Sequence, residues 1–228
     1  WPIGETAALH GELAALGLKL PAAAIDGTGP DADASALSNA LVSVGASGRG
    51  GTGSFISKSG LIVTNHHVAL DAVRSASRRA GVDYLEDGFV AKRRADEVAT
   101  ESYECWITRR CEDVSAAVVE AAGAEADPLK RALAFRDAAL KTAKDREAGE
   151  AGGARCEVKA TWPERTYTLF VYERLSDVRL VYVPPRSLGN FGGDVDNFEW
   201  PRHTADFALL RAYGADGRPY APSAHLRT

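Results

Sequence analysis

Gly51-Thr-Gly-Ser-Phe-Ile-Ser-Lys-Ser-Gly-Leu-Ile-Val-Thr-Asn-His-His-Val-Ala69 is the stretch from which the fold is read. Phe55 and Ile56 belong to a first strand, and Lys58-Ser59-Gly60 supplies the turn chemistry. Leu61-Ile62-Val63-Thr64 is a β-branched run with the composition of a second, buried strand. It stops at Asn65-His66-His67. A polar pair that abruptly ends a buried strand is where a β-barrel tends to place a working side chain, so the hairpin is expected to deliver a histidine. Adjacent histidines on a strand point to opposite faces and cannot chelate one ion together, so no metal site is expected of them.

Strand patterns flank the hairpin. Ala40-Leu-Val-Ser-Val44 precedes it and leads into the glycine-rich approach Gly45 to Gly53. After the histidines, Val68 to Arg74 predicts one or two helical turns, Asp83 to Val90 a loop with aromatic anchors, and Tyr103 to Thr108 a strand. Further strands are predicted at Cys156–Ala160, at Tyr167–Tyr172, at Val178–Val183 before Pro184-Pro185, and at Asp206–Tyr213 before a Gly214-Ala-Asp-Gly217 turn.

Two segments follow a different period. Leu9, Leu13 and Leu16 sit at helical spacing and predict a short amphipathic helix ended by Gly17 and Pro21, with 26–35 as a loop after it. Residues 113–150 are rich in Ala, Glu, Lys and Arg, and Asp127-Pro128 breaks the run and caps a second segment, which predicts a helical hairpin. The expected fold is mainly β, an antiparallel barrel with an inserted helical segment. Its expected divisions are 1–112 (N-terminal helix and first part of the barrel), 113–150 (helical insertion) and 151–228 (remainder of the first barrel).

With 228 residues, 45% of them hydrophobic and 25% charged, the chain can bury a sizeable core. A net charge of −4 gives no basic footprint for nucleic acid, and no apolar stretch is long enough to span a bilayer. The chain holds no methionine and begins at Trp1, from which a processed product or a piece of a longer protein is expected, with any signal sequence removed ahead of Trp1. The last stretch, Pro219 to Thr228, carries no capping element, and a continuation is expected beyond it. Three cysteines, Cys105, Cys111 and Cys156, allow one disulfide or three small buried hydrophobes.

The hairpin pattern, Gly-x-Gly, strand, turn, strand and Thr-Asn-x-His-Val, resembles the catalytic-histidine segment of trypsin-like serine peptidases. Such an enzyme needs a histidine base, a carboxylate that orients it and a serine nucleophile beside oxyanion donors. His67, followed by Val68-Ala69, aligns with the base. Asp206-Phe-Ala-Leu-Leu-Arg resembles the pattern that carries the orienting aspartate. Taken alone, so short a motif also fits an aspartate that starts a strand and bonds local backbone. A histidine hairpin upstream, in the order His before Asp, favours the carboxylate role.

Ser187-Leu-Gly-Asn-Phe-Gly-Gly-Asp-Val-Asp-Asn-Phe-Glu-Trp-Pro-Arg-His-Thr-Ala-Asp206 is far more specific. It resembles a signature of the bacterial dipeptidyl aminopeptidases of the dipeptidyl-peptidase 7 and dipeptidyl-peptidase 11 type. The resemblance extends to Thr64-Asn-His-His67, to Asp83–Phe89 and to Tyr167–Val181, and so spans nearly the whole chain. It implies the first half of a chymotrypsin-like double barrel and an enzyme that releases dipeptides from free N-termini. By position, it implies His67 as general base and Asp206 as its carboxylate. Asn197 and Phe198, with Trp200 and Arg202 beside them, would receive the substrate's α-amino group and first residue. Phe198 replaces the usual Trp, which keeps an aromatic wall but loses an indole N–H. Ala205 stands for a usual Gly and Val68 for a usual Cys.

The nucleophile of that family lies in a Gly-x-Ser-Gly setting in the second barrel, and Ser54, Ser59 and Ser187 have no such setting. The chain alone is therefore expected to be inactive and to need the missing C-terminal half. The other implied partners are peptides with a free N-terminus and a second copy in a homodimer. No cofactor is implied, and a periplasmic or secreted location is. Two alternatives stand beside this reading: an endopeptidase of the high-temperature-requirement type, which shares the hairpin pattern, and a non-catalytic peptide-binding module that kept the fold.

Overall fold

The computed structural model describes residues 6–26, 36–46, 50–150, 152–193 and 203–226. The chain begins with α1 (Thr6–Ala15) and α2 (Ala22–Ile25), followed by β1 (Leu41–Ala46), β2 (Gly51–Phe55) and β3 (Leu61–Thr64). Next come α3 (His66–Ala80), α4 (Tyr84–Asp87), β4 (Phe89–Val90), β5 (Val98–Ala99) and the long β6 (Tyr103–Asp113). The helices α5 (Ser115–Ala122) and α6 (Pro128–Gly149) precede β7 (Arg155–Trp162), β8 (Thr166–Leu175) and β9 (Asp177–Val183). A helical turn, α7 (Arg186–Gly189), and β10 (Ala208–Tyr213) complete the set. The described strands form an antiparallel β architecture, as the alternating runs predict. They belong to two compact units, Trp1–Ser38 with Ile107–Arg174 and Asn39–Trp106 with Leu175–Thr228.

In the unit formed by Asn39–Trp106 and Leu175–Thr228, β3 is the central strand. On one side it pairs with β2, with Phe55 opposite Ile62 and Gly53 opposite Thr64. On the other it pairs with β10, with Leu210 opposite Ile62 and Ala208 opposite Thr64. The turn between β2 and β3 is closed by the Ile56 N–H on the Leu61 carbonyl at 2.8 Å. Ser57 Oγ accepts from the Ser59 and Leu61 N–H groups, both at 3.2 Å. Gly60 ends this turn at φ 67°, and a Cβ there would fall 2.6 Å from the Ala212 carbonyl oxygen, so both the angle and the space demand glycine. Val42, Val44, Phe55, Ile62, Leu180 and Leu210 point inward and are buried.

Several expectations shift. The strand expected from Ala40 starts at Leu41, because Leu37–Ala40 is a 3-10 turn. The histidines do not sit on a strand: β3 ends at Thr64, and His66 and His67 open α3. That helix runs for 15 residues rather than one or two turns. Ala69, Ala72, Val73 and Ala76 recur at helical spacing and are all buried, and the helix continues until Gly81 closes it at φ 68°. The expected loop after it contains α4, capped by Asp83 Oδ1 on the Leu85 and Glu86 N–H groups at 3.0 and 3.2 Å. Tyr84 and Phe89 pack there with ring centroids 4.6 Å apart.

β10 is buried along nearly its whole length, and Arg211 is buried with it. Its guanidinium meets Glu97 at 2.8 Å, with only 11% and 2% of the two side chains exposed. Tyr213 donates its hydroxyl to the same carboxylate at 2.6 Å, and Arg211 also donates to Ser59 Oγ at 3.0 Å. One buried cation thereby ties β10 to the approach to β5 and to the β2–β3 turn.

In the other unit, α5 and α6 pack on β7 and β8. Asp127 accepts from the Lys130 N–H at 2.9 Å and Pro128 occupies the first turn, so the predicted cap opens α6. Val114, Val118, Phe135, Ala138, Tyr167, Leu169 and Val171 form the core, with the Phe135 and Tyr167 rings stacked 5.8 Å apart. α1 is not the amphipathic helix expected: only Thr6 is buried in it, and Leu16 lies past its end, 86% exposed. No disulfide joins the three cysteines. No described helix is long and apolar enough to cross a membrane.

The buried pair gives a direct test. Glu97→Ala strands the Arg211 charge and is expected to cost about 3–5 kcal/mol, read as a lower urea midpoint, whereas adding Arg211→Met recovers most of it. An unchanged midpoint in the single variant would show that the pair contributes nothing.

Candidate active site

Continuing the β3–β10 register beyond the strand ends brings the residues just after Thr64 next to those just before Ala208. Asn65 and Asp206 meet there. Asn65 is the N-cap residue of α3, yet its side chain makes no capping bond. Asp206 supplies the cap instead: its Oδ1 accepts the His67 backbone N–H at 3.0 Å. A helix N-terminus exposes such donors and carries partial positive charge, so an anion is favoured there. Asn65 turns its amide onto the aspartate, donating to Oδ2 at 3.1 Å and to the main-chain oxygen at 3.3 Å.

The same carboxylate meets the His67 ring, with Nδ1 2.9 Å from Oδ2 and 3.0 Å from Oδ1. Asp206 has 3% of its side chain exposed and His67 41%, so the carboxylate is enclosed while the ring faces outward. Burial pushes the Asp206 carboxyl up. The bonds from the His67 N–H and ring, the nearby imidazole and the Asn65 amide outweigh it and hold the group below the usual carboxylate range. An ionised acceptor at Nδ1 fixes the proton on that nitrogen and makes Nε2 the basic one. The pair can therefore take a proton at Nε2 and stabilise the resulting imidazolium.

A strap holds Asp206 in place from outside β10. Thr204 Oγ1 donates to the Leu188 and Gly189 carbonyls at 3.2 and 2.9 Å, and the Ala205 N–H donates to Leu188 at 2.9 Å. Gly189 packs against the ring of His66, where an added Cβ would stand 2.7–2.8 Å from Cδ2, Cγ and Nε2. His66 itself is 2% exposed, and its Nε2 finds no hydrogen-bond partner among the described residues. Burial pushes its pKa down, Asp206 opposes that shift and His67 reinforces it.

Of the residues named from sequence, the fold brings His67 and Asp206 together. Asn197, Phe198, Trp200 and Arg202 lie outside the described residues. Gly192 and Gly193 take φ 81° and 66°. Sequence reasoning missed the parts played by Asn65, Thr204 and Gly189. Asn65 carried a signal, since it is a good N-cap residue directly before a helical run. Gly189 and Thr204 carried none, because their partners are set by tertiary contact.

Comparison with known proteins bears on this arrangement. The pattern of the peptidase S46 family matches residues 1–228. Dipeptidyl-peptidase 7 of Porphyromonas gingivalis is 37% identical over 188 residues, which is 82% of this chain and 26% of that protein. The Asp/Glu-specific dipeptidyl-peptidase of Shewanella putrefaciens is 39% identical over 172 residues, 75% of this chain and 23% of that one. The chain thus spans about a quarter of the length of these curated relatives. Among solved structures, Porphyromonas endodontalis DPP11 in an alternate conformation superposes with a TM-score of 0.81 at 31% identity, covering 99% of this chain and 34% of that one. The same protein in complex with the dipeptide Arg-Glu gives 0.77. The fold expected from the resemblance, a chymotrypsin-like antiparallel β-barrel with a helical insertion, is therefore the fold of this chain. Over residues 1–228, the chain belongs to the peptidase S46 family.

Proposed function

We propose that this chain supplies the general base and the orienting carboxylate of a serine-type dipeptidyl aminopeptidase that releases dipeptides from the free N-terminus of peptides. The observation that carries the reading is the enclosed Asp206 carboxylate 2.9 Å from Nδ1 of an outward-facing His67, in a chain of the S46 family. His67 Nε2 would take the proton of a serine hydroxyl as its oxygen attacks the scissile carbonyl, with Asp206 stabilising the imidazolium. The ring would then return the proton to the departing amine. The serine and its oxyanion donors are proposed to come from sequence beyond this stretch, so that the chain alone does not hydrolyse peptides. Asn197, with Phe198, Trp200 and Arg202 beside it, is proposed to receive the substrate's amino end. The periplasmic or secreted location and the homodimer belong to the same reading, and cell fractionation and sedimentation test them.

Three outcomes are expected. The full-length protein releases coumarin from dipeptidyl substrates with a free N-terminus and not from the same substrates with that amine blocked; equal cleavage of both would point to an endopeptidase. The 228-residue chain releases none. Asp206→Asn in the full-length protein lowers kcat on the order of 10⁴-fold, the scale on which a serine-peptidase triad loses activity when its histidine takes the wrong tautomer. A loss below tenfold would remove Asp206 from the mechanism.

A further inference from the structure

We propose that His66, which the reaction above does not use, is a positioning residue: its buried ring is the plate on which Gly189 rests, and through Gly189 it sets Asp206 against His67. The inference rests on the reading of His67 and Asp206 as base and carboxylate.

The contacts form a closed circuit. Gly189 lies so near the face of the His66 ring that even a methyl group would stand 2.7–2.8 Å from three ring atoms. The carbonyls of Leu188 and Gly189 are tied to the Thr204 hydroxyl, and that of Leu188 also to the Ala205 N–H. Asp206 follows directly and binds both the main-chain N–H and the ring of His67. His67 is the next residue after His66, which returns the circuit to its start. Moving the plate moves Gly189, then the Thr204–Ala205 strap, then the carboxylate.

The chemistry of His66 suits a plate. Its Nε2 is buried and finds no partner among the described residues, so an imidazolium there would hold an N–H with no acceptor among them. The charged groups around it pull in different directions. Asp206 favours protonation and His67 opposes it, while Arg186, the cation of α7, is exposed and paired with Glu86 at 3.1 Å. Burial outweighs Asp206 and keeps the ring neutral below its ordinary 6.5. As the pH falls from that value, the unfolded chain takes up this proton before the folded one, so stability declines toward the lower folded pKa. Asp206 acts in a separate window: its stabilisation is complete above its ordinary 3.8 and is lost as pH falls through its depressed folded value.

The test uses the full-length protein and reads kcat/KM on a dipeptidyl substrate, the low-field Nδ1 proton resonance of His67, and urea midpoints across pH. Gly189→Ala is expected to cost about 10²-fold in kcat/KM, the scale of a 1 Å misplacement, and to shift or broaden the resonance. His66→Phe, a flat ring with no proton to gain, is expected to keep both signals and to lose the decline in stability below 6.5 while retaining the acid limb of Asp206. His66→Ala combined with Gly189→Ala opens the space that the methyl needs and is expected to regain at least tenfold over Gly189→Ala alone. A His66→Ala protein with the kcat/KM and Nδ1 resonance of wild type overturns the proposal, also where Gly189→Ala does not fold. If wild type releases no dipeptide but the resonance follows the variants as stated, the dipeptidyl reading fails and the positioning role stands.

Discussion

An ionised carboxylate with 3% of its side chain exposed has given up its water, and other donors must replace it. Around Asp206 the replacements are the first turn of α3, the Asn65 amide and the His67 ring. Each comes from the few residues that follow β3, and each is in reach because β3 and β10 pair in the register they do. Losing the register would strand the charge and leave the helix end bare. The local fold and the alignment of the histidine are thus stabilised by one set of bonds.

That arrangement explains which parts of the chain could be read in advance. The β2–β3 hairpin and β10 are local patterns, apolar runs bounded by turn residues, and they survive as strands in the structure. The pairing of His67 with Asp206 was legible only through the two motifs together, since neither points to the other across 139 positions of sequence. The length of α3 was hidden by its alanines, whose burial makes them core residues although their weak hydrophobicity does not announce it. The change of the histidine pair from strand to helix start matters more. On a helix, consecutive residues diverge by about 100°, which turns His66 into the core and His67 outward.

Other tertiary partnerships were not legible. Arg211 read as the basic residue that ends a short motif, but it is a buried cation balanced by Glu97, far upstream. Gly189 read as one glycine among several, but its lack of a side chain is what admits the His66 ring. In both cases the reason for the residue lies on another element, and no local window contains it. The amphipathic reading of α1 fell short for the complementary reason: spacing alone does not say how far the leucines are covered, and Leu9 and Leu13 are only half-buried.

The double tie of Thr204 to Leu188 and Gly189 has a consequence for how such a protein can change over time. It joins Leu188 and Gly189 to Thr204 directly, through backbone already committed to the fold, whatever lies between them in the sequence. Closing a longer flexible loop costs only about 0.6 kcal/mol for each doubling of its length. The sequence between positions 189 and 204 can therefore change in length while the clip leaves the carboxylate where it is. Selection is free to vary that sequence without disturbing how Asp206 meets His67.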